Sequence, residues 1–284
     1  MQDLINRLNS VCDELPYQSS WFLKDLLNGA EANRSGDVVV PSASTRKIAI
    51  LVSALAGVND GRFALDQPVL IQERYQISDS GTFQHFVPGS TLALRDMLVM
   101  MIIVSDNTST GTIADMVGLD QVNALCQSIG MVETTHRHGI PPGGTPRDHV
   151  VEDVNATTPA DVGLLLDGIL RGTTDSEAAA RLGCTPDLCQ LAIDILSWQK
   201  LAQRLPAHLP LGTKVAHKTG TGIHGRNNND VGIIFQDGEA RYILAVYTEG
   251  LPQEMPDRPM SGFAAASDQI ARMSRLCWDA LAVA

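Results

Sequence analysis

Three short groupings in the 284-residue chain combine residue types that can do chemistry together: Ser44-Thr45-Arg46-Lys47, Ser105-Asp106-Asn107 and Lys218-Thr219-Gly220. A Ser and a Lys three residues apart share one face of a helix, so the amine lies within reach of the hydroxyl. A serine hydroxyl is a weak nucleophile until a neighbouring base takes its proton. A lysine serves as that base where burial and nearby positive charge lower its pKa. A helix start adds free backbone N–H groups that stabilise an oxyanion. Ser105-Asp106-Asn107 sets a hydroxyl, a carboxylate and an amide at the end of an apolar run. In Lys218-Thr219-Gly220 the glycine lets a ligand approach a strand backbone closely. Each grouping alone also has a plain structural reading: a helix cap with a solvated lysine, a turn, and an exposed edge strand. Against the first of these stands the almost wholly apolar stretch that Lys47 leads into, Ile48 to Ala56.

Residues 44–57 form an almost wholly apolar stretch from Ile48 on, which predicts a buried helix carrying Ser44 and Lys47 at its start. Ser105 closes a second helix over Leu92–Val104. Helical periodicity also marks residues 2–14, Thr110–Val117, Gln121–Ile129, Pro159–Arg171 and Pro186–Trp198. Thr158-Pro159-Ala160-Asp161 has the composition of a capped helix start. Trp21-Phe22-Leu23 and Asp37–Val40 read as a hairpin around the polar turn Asn28–Gly36. Strand patterns return at Lys214–Thr221, Val231–Gln236 and Arg241–Thr248, before a final helix over Ser261–Val283. Strands at both ends with helices between them predict an α+β fold, with an antiparallel five-stranded sheet flanked by helices and an inserted all-helical domain. The expected division is 1–57 together with 206–284 for the sheet domain and 58–205 for the helical one, with the active-site cleft between them. The irregular stretch Glu133–Ala156 is rich in Gly, Pro and His, and loops of that length carry function or are mobile.

Composition narrows the partners. Lys and Arg number 21 against 32 Asp and Glu, a net charge of −11 that argues against binding a phosphate backbone. A small-molecule partner is expected instead, with no nucleic acid. The longest apolar run, Met97–Val104, is too short for a membrane span. The five cysteines (Cys12, Cys126, Cys184, Cys189, Cys277) form no C-x-x-C pair and suit a reducing compartment. With no signal-peptide pattern at Met1–Ile5, the expected location is cytoplasmic, or periplasmic or secreted if a signal had been removed. His136-x-His138, with His149 nearby, lacks the carboxylate spacing of a metal site, so no metal or other cofactor is expected.

Together the three groupings say more than they do singly. S-x-x-K, S-D-N and K-T-G occur in the order used by penicillin-recognising serine enzymes. Ser105 follows Ser44 by 61 residues, and Lys218 follows Ser105 by 113. From about residue 18 onward the chain resembles class A β-lactamases. Pro41-Ser42-Ala43, Thr157-Thr158-Pro159-Ala160 and Asn229-Asp230-Val231-Gly232-Ile233 add to the likeness. The resemblance implies that Ser44 is acylated by a substrate carbonyl, that Lys47 is the general base, and that Ser105 passes a proton to the leaving nitrogen. It also implies that Asn107 binds the substrate's side-chain amide and orients Lys47. Lys218 and Thr219, on the strand with Gly220 and Thr221, would bind a substrate carboxylate, and Lys218 would keep Ser105 a competent donor. The N–H groups of Ser44 and Thr221 would form the oxyanion hole. Arg226 is a candidate second carboxylate anchor. Phe83, with His85 and Phe86, stands where the family places an aromatic wall.

Two family features are missing. Class A enzymes carry a Glu-x-x-x-Asn in the loop before the T-T-P helix, where the Glu activates the water that cleaves the acyl-enzyme. The matching positions here are Ile140-Pro141-Pro142. Glu133, His136, His138, Asp148, Glu152 and Asp153 are the other bases that loop offers. The family's disulfide is absent, with Leu51 and Leu98 near its cysteine positions. The expected activity is acyl-enzyme hydrolysis of an amide or ester, β-lactams leading. The alternatives are a DD-peptidase, an esterase or cyclic-amide hydrolase, and a slow-deacylating penicillin-binding or sensor protein.

Overall fold

The computed structural model describes residues 1–76 and 80–282. Helix α1 (Gln2–Asp13) is followed by strands β1 (Gln18–Asp25), β2 (Glu31–Arg34) and the short β3 (Val40–Pro41). A 3₁₀ turn over Ala43–Arg46 runs into α2 (Lys47–Asn59). The short strands β4 (Pro68–Leu70) and β5 (Thr91–Ala93) pair with each other ahead of α3 (Leu94–Ile103), α4 (Asn107–Val117) and α5 (Leu119–Ser128). After the long loop come β6 (Ala156–Thr157), α6 (Pro159–Gly172), α7 (Ser176–Arg181) and α8 (Pro186–Ser197). The chain ends with β7 (Val215–Thr221), β8 (Asn228–Gln236), β9 (Glu239–Glu249) and α9 (Gly262–Leu281). The architecture is α+β, and the five-stranded sheet is antiparallel throughout, in the order β2-β1-β9-β8-β7.

Side-chain alternation along β9 builds both layers. Tyr242, Leu244 and Val246 point into a cluster with Leu4 and Leu8 of α1 and Ile270 and Met273 of α9. Ile243, Ala245 and Tyr247 face the opposite cluster, formed with α2, α6 and α8. Successive strand residues point to opposite faces, so one strand serves two cores. Ten of the 13 residues of α2 are buried, with α3, α4, α5 and α8 around it. A helix enclosed on all sides must be apolar all round, and this is why Lys47, in its first turn, is buried as well. Helix α6 lies directly on β1, because a Cβ at Gly163 would come within 2.3 Å of the Phe22 ring.

The hairpin differs from its sequence reading. The returning strand is Glu31–Arg34, not Asp37–Val40. Asp25 closes the turn early: its carboxylate accepts from the Leu27 N–H at 2.9 Å and from Asn28 Nδ2 at 2.8 Å. Gly29, at φ +74°, then turns the chain back. Val40-Pro41 pairs instead with Ala156-Thr157, which brings the end of the long loop beside Ser44. Helix α3 starts two residues later than its apolar run, since Leu92 and Ala93 belong to β5. Helix α7 has no pattern long enough to register, and is held by its Asp175 cap, which accepts from Glu177 N and Ala178 N.

Candidate active site

Ser44 sits on a tight turn between β3 and α2. Ala43 before it adopts φ +46°, a left-handed conformation that costs a non-glycine residue energy. The turn is held from several sides. Ser42 N and Oγ both donate to Asn155 O, at 2.8 and 2.9 Å, and Thr45 Oγ1 lies 2.7 Å from Ser42 O and 2.8 Å from Tyr247 Oη. Ser105, the second site serine, is also left-handed at φ +57°. Strained residues held by their surroundings in this way are a mark of functional sites.

Lys47 is 1% exposed, and its Nζ lies 2.8 Å from Ser105 O, 3.0 Å from Ser105 Oγ and 2.7 Å from Asn107 Oδ1. Burial pushes its pKa well below the usual lysine value, helped by the charges of Lys218 and Arg46 and opposed by Asp106. A neutral amine has two N–H donors and one lone pair. It can donate to Ser105 O and Asn107 Oδ1 while its lone pair accepts the Ser105 hydroxyl.

Asp106, the middle residue of its grouping, is structural. It caps α4 by accepting from Ser109 N at 2.8 Å, and its other oxygen accepts from Thr82 N and Phe83 N at 2.6 and 2.8 Å. Gly81, at φ +96°, leaves room for this, since a Cβ there would meet the Asp106 carboxylate at 2.2 Å. Asp106→Ala is expected to destabilise the protein by about 2–3 kcal/mol through loss of the cap and of an acceptor for buried amides. Urea unfolding measures this directly, and an unchanged midpoint would refute it.

On β7, Lys218 is fully buried and its Nζ donates to Thr219 O at 2.8 Å. Burial, with Arg204 nearby, lowers its pKa to about 7 against the opposing pull of Asp230. A Cβ on Gly220 would lie 3.1 Å from Thr45 Cγ2 and 3.3 Å from Ser42 O, so glycine is what lets β7 press against the turn that carries Ser44. Arg204, which sequence reasoning missed, donates to Gly220 O at 3.1 Å, to Asn229 O, and to Thr221 Oγ1 at 2.8 Å. It stands in a connection without regular structure, where no periodicity or motif marks it. Beneath the strand, buried His217 and Asp230 pair at 2.9 Å.

One cleft of about 630 Å³ gathers Ser44, Lys47, Ser105, Asn107, Thr219 and Thr221 from three separate segments. Lys218 and Gly220 belong to the same strand but do not line it. Two expected residues lie elsewhere. Phe83 is 1% exposed and packs into the core with its ring 4.9 Å from that of Phe86, because Asp106 ties its backbone inward. Arg226 is an ion-pair partner of Glu249 and donates to two loop carbonyls, which leaves it committed rather than open to a carboxylate. Ile140, Pro141 and Pro142 do line the cleft, and among the described residues no carboxylate does. His136 is buried beside Asn123, and His138 faces Asp153 O at 3.0 Å. No group of three or more His, Cys, Asp or Glu suited to a metal occurs among the described residues, and no described helix is long and apolar enough to cross a membrane.

The chain also has measurable relatives. The fold matches a structure of PBP-A with TM-score 0.81 and 26% identity, covering 99% of this chain and 96% of that one. A leucine-to-glutamate variant of PBP-A, solved as an acyl-enzyme complex with penicillin G, matches over the same shares, also with TM-score 0.81 and 26% identity. A β-lactamase from Sphaerobacter thermophilus has the same fold at TM-score 0.82 and 24% identity, covering 99% of this chain and 97% of that one. No curated protein sequence matches the chain. The model of the β-lactamase enzyme family matches residues 3–281, and with nearly the whole chain covered, this protein belongs to that family.

Proposed function

We propose that the protein is a serine hydrolase that opens a cyclic or activated amide or ester through an acyl-enzyme on Ser44, with β-lactams as the leading substrate class. The observation that carries this reading is the buried amine of Lys47, held 3.0 Å from Ser105 Oγ in the cleft that Ser44 lines. In the first step the Ser44 hydroxyl loses its proton to Lys47 and its oxygen bonds to the substrate carbonyl carbon. The resulting oxyanion is met by the N–H groups of Ser44 and Thr221. The C–N bond then breaks, and the proton returns through Ser105 to the departing nitrogen. Thr219 holds the substrate carboxylate in the cleft with the charge of buried Lys218 behind it, and Arg204 fixes the Thr221 side chain beside them.

Mass spectrometry of the intact protein after penicillin G tests the reading. A β-lactam ring opens without losing a fragment, so the expected adduct has the mass of the whole antibiotic and sits on Ser44. An adduct retained by Ser44→Ala would overturn the assignment. A second reading, a penicillin-binding protein whose adduct persists, is favoured by one observation: no described carboxylate lines the cleft to activate water. The PBP-A variant captured with penicillin G as an acyl-enzyme supports the same chemistry in this fold. The lifetime of the adduct separates the two readings.

A further inference from the structure

A second cavity, of about 390 Å³, lies behind the turn that carries Ser44. Strand β2 pairs only with Trp21–Lys24 of β1, so the segment from Ser35 to Val40 leaves a gap beside Gln18 to Ser20. Pro41 lines this cavity and the catalytic cleft, and is thus a wall of both. Tyr247 lines it as well, and its hydroxyl lies 2.8 Å from Thr45 Oγ1, one residue after Ser44. A molecule in the cavity therefore presses on β3 and on Tyr247. Both of these support a turn that holds Ala43 at φ +46°.

The lining selects a kind of small molecule. Val38, Val39, Val40 and Pro41 supply an apolar wall. Ser20 is 7% exposed and its Oγ has no hydrogen-bond partner, so a polar group of a ligand can satisfy a hydroxyl that the fold leaves unpaired. Three charged residues line the cavity, and Glu249 is already paired with Arg226. That leaves the positive charge of Arg34. Its partner Asp13 is 64% exposed, and only Nη1 of the guanidinium is engaged, by Asp13 at 2.7 Å and by Asn9 O at 3.4 Å. An exposed pair of that kind is weak, and the remaining N–H groups of the fork match a carboxylate. A cavity of this size with an apolar wall and a few polar groups has the make-up of a small-molecule site. We propose that it binds a small acylated amino acid, with the carboxylate at Arg34, the amide at Ser20 and a branched side chain on the valine wall, and that its occupancy steadies the Ser44 turn from behind. Binding there is separate from the chemistry of the cleft, and only its effect on Ser44 rests on the proposed function.

Calorimetry on the unaltered protein compares N-acetylleucine with N-acetylleucinamide, which differs only in its uncharged end. The acid is expected to bind at least about tenfold more tightly. Arg34→Gln should bring the two within about threefold, and Ser20→Leu, which fills the cavity, should weaken both by about tenfold or more. Should Ser20→Leu fail to fold, Val39→Trp fills the cavity from the valine wall and is held to the same loss. No binding, or equal affinity for acid and amide, overturns the proposal. Protein already carrying the penicillin G adduct should still bind N-acetylleucine. Loss of binding in the adduct would put the ligand in the catalytic cleft and overturn the second site. Acylation by a chromogenic cephalosporin should quicken by about fivefold or more as N-acetylleucine saturates, with the midpoint found by calorimetry. An unchanged rate at saturation overturns the coupling to Ser44. Binding to a protein that takes no penicillin at all would instead keep the second site and sink the hydrolase reading.

Discussion

Replacing Lys47 with alanine is expected to slow acylation of Ser44 by about 10²–10⁴-fold, the usual worth of a positioned general base. The protein should stay folded, since the substitution removes an amine whose burial disfavours its charged form. Stopped-flow acylation by a chromogenic cephalosporin measures the effect, and a loss below about tenfold would move the base elsewhere. The pH profile sharpens this prediction. The second-order acylation rate reports groups of the free enzyme. Lys47 must be neutral to accept a proton, so the rate falls on the acid side as Lys47 becomes charged. Lys218 must be charged to hold a carboxylate, and its pKa is lowered to about 7. Acylation by a carboxylate-bearing lactam should therefore fall as pH rises through that value. A carboxylate-free ester should lack this alkaline limb. If both substrates show it equally, Lys218 acts through proton transfer at Ser105 rather than through binding.

Turnover of any β-lactam is expected to be limited by deacylation. A hydrolytic water at an acyl carbonyl needs a base within about 2.6–3.2 Å, directly or through one water. The loop wall there is Ile140, Pro141 and Pro142, and no described carboxylate lines the cleft. The expected signature is a burst of about one product per enzyme followed by a slow steady phase. Glu introduced singly at 140, 141 or 142 should speed the steady phase by about 10²-fold or more in at least one variant, with the burst rate nearly unchanged. Burst-free turnover by the unaltered protein would show that another group already activates the water. Of the bases the loop offers, only His149 lines the cleft, and its Nδ1 lies 3.1 Å from Val150 O. Burial and the Arg46 charge hold His136 neutral, with a pKa lowered to about 3, and Glu133, His138, Asp148, Glu152 and Asp153 do not line the cleft.

Much of the site was legible because its chemistry is written in short spacings. The three-residue step from Ser44 to Lys47 amounts to about one helical turn, whatever surrounds it. The apolar run after Lys47 required burial, and burial is the first cause of the lowered lysine pKa. The alternating strands near the C-terminus likewise required a sheet with two covered faces, and the long periodic helices needed only their own pattern. Other features have no local code. Asp25 shortened the first hairpin through two side-chain hydrogen bonds, which left Val38 and Val39 outside the sheet and Val40 to pair with Thr157 instead. Phe83 went to the core because Asp106, 23 residues later, draws its backbone in.

The amino-acid sequence by itself determined the fold class and the placing of Ser44 and Lys47 at the start of a buried helix, since each follows from periodicity, spacing and hydrophobicity over a few neighbouring residues. Only the tertiary structure decided how Arg204 and Arg226 are used. Both are arginines in irregular segments, yet one is buried against Thr221 and the other is spent on Glu249 and the loop carbonyls. Their roles depend on which backbone carbonyls and carboxylates the fold brings within hydrogen-bond range. A guanidinium can donate to any of these, so its partners are chosen by packing between distant segments and not by the residues beside it.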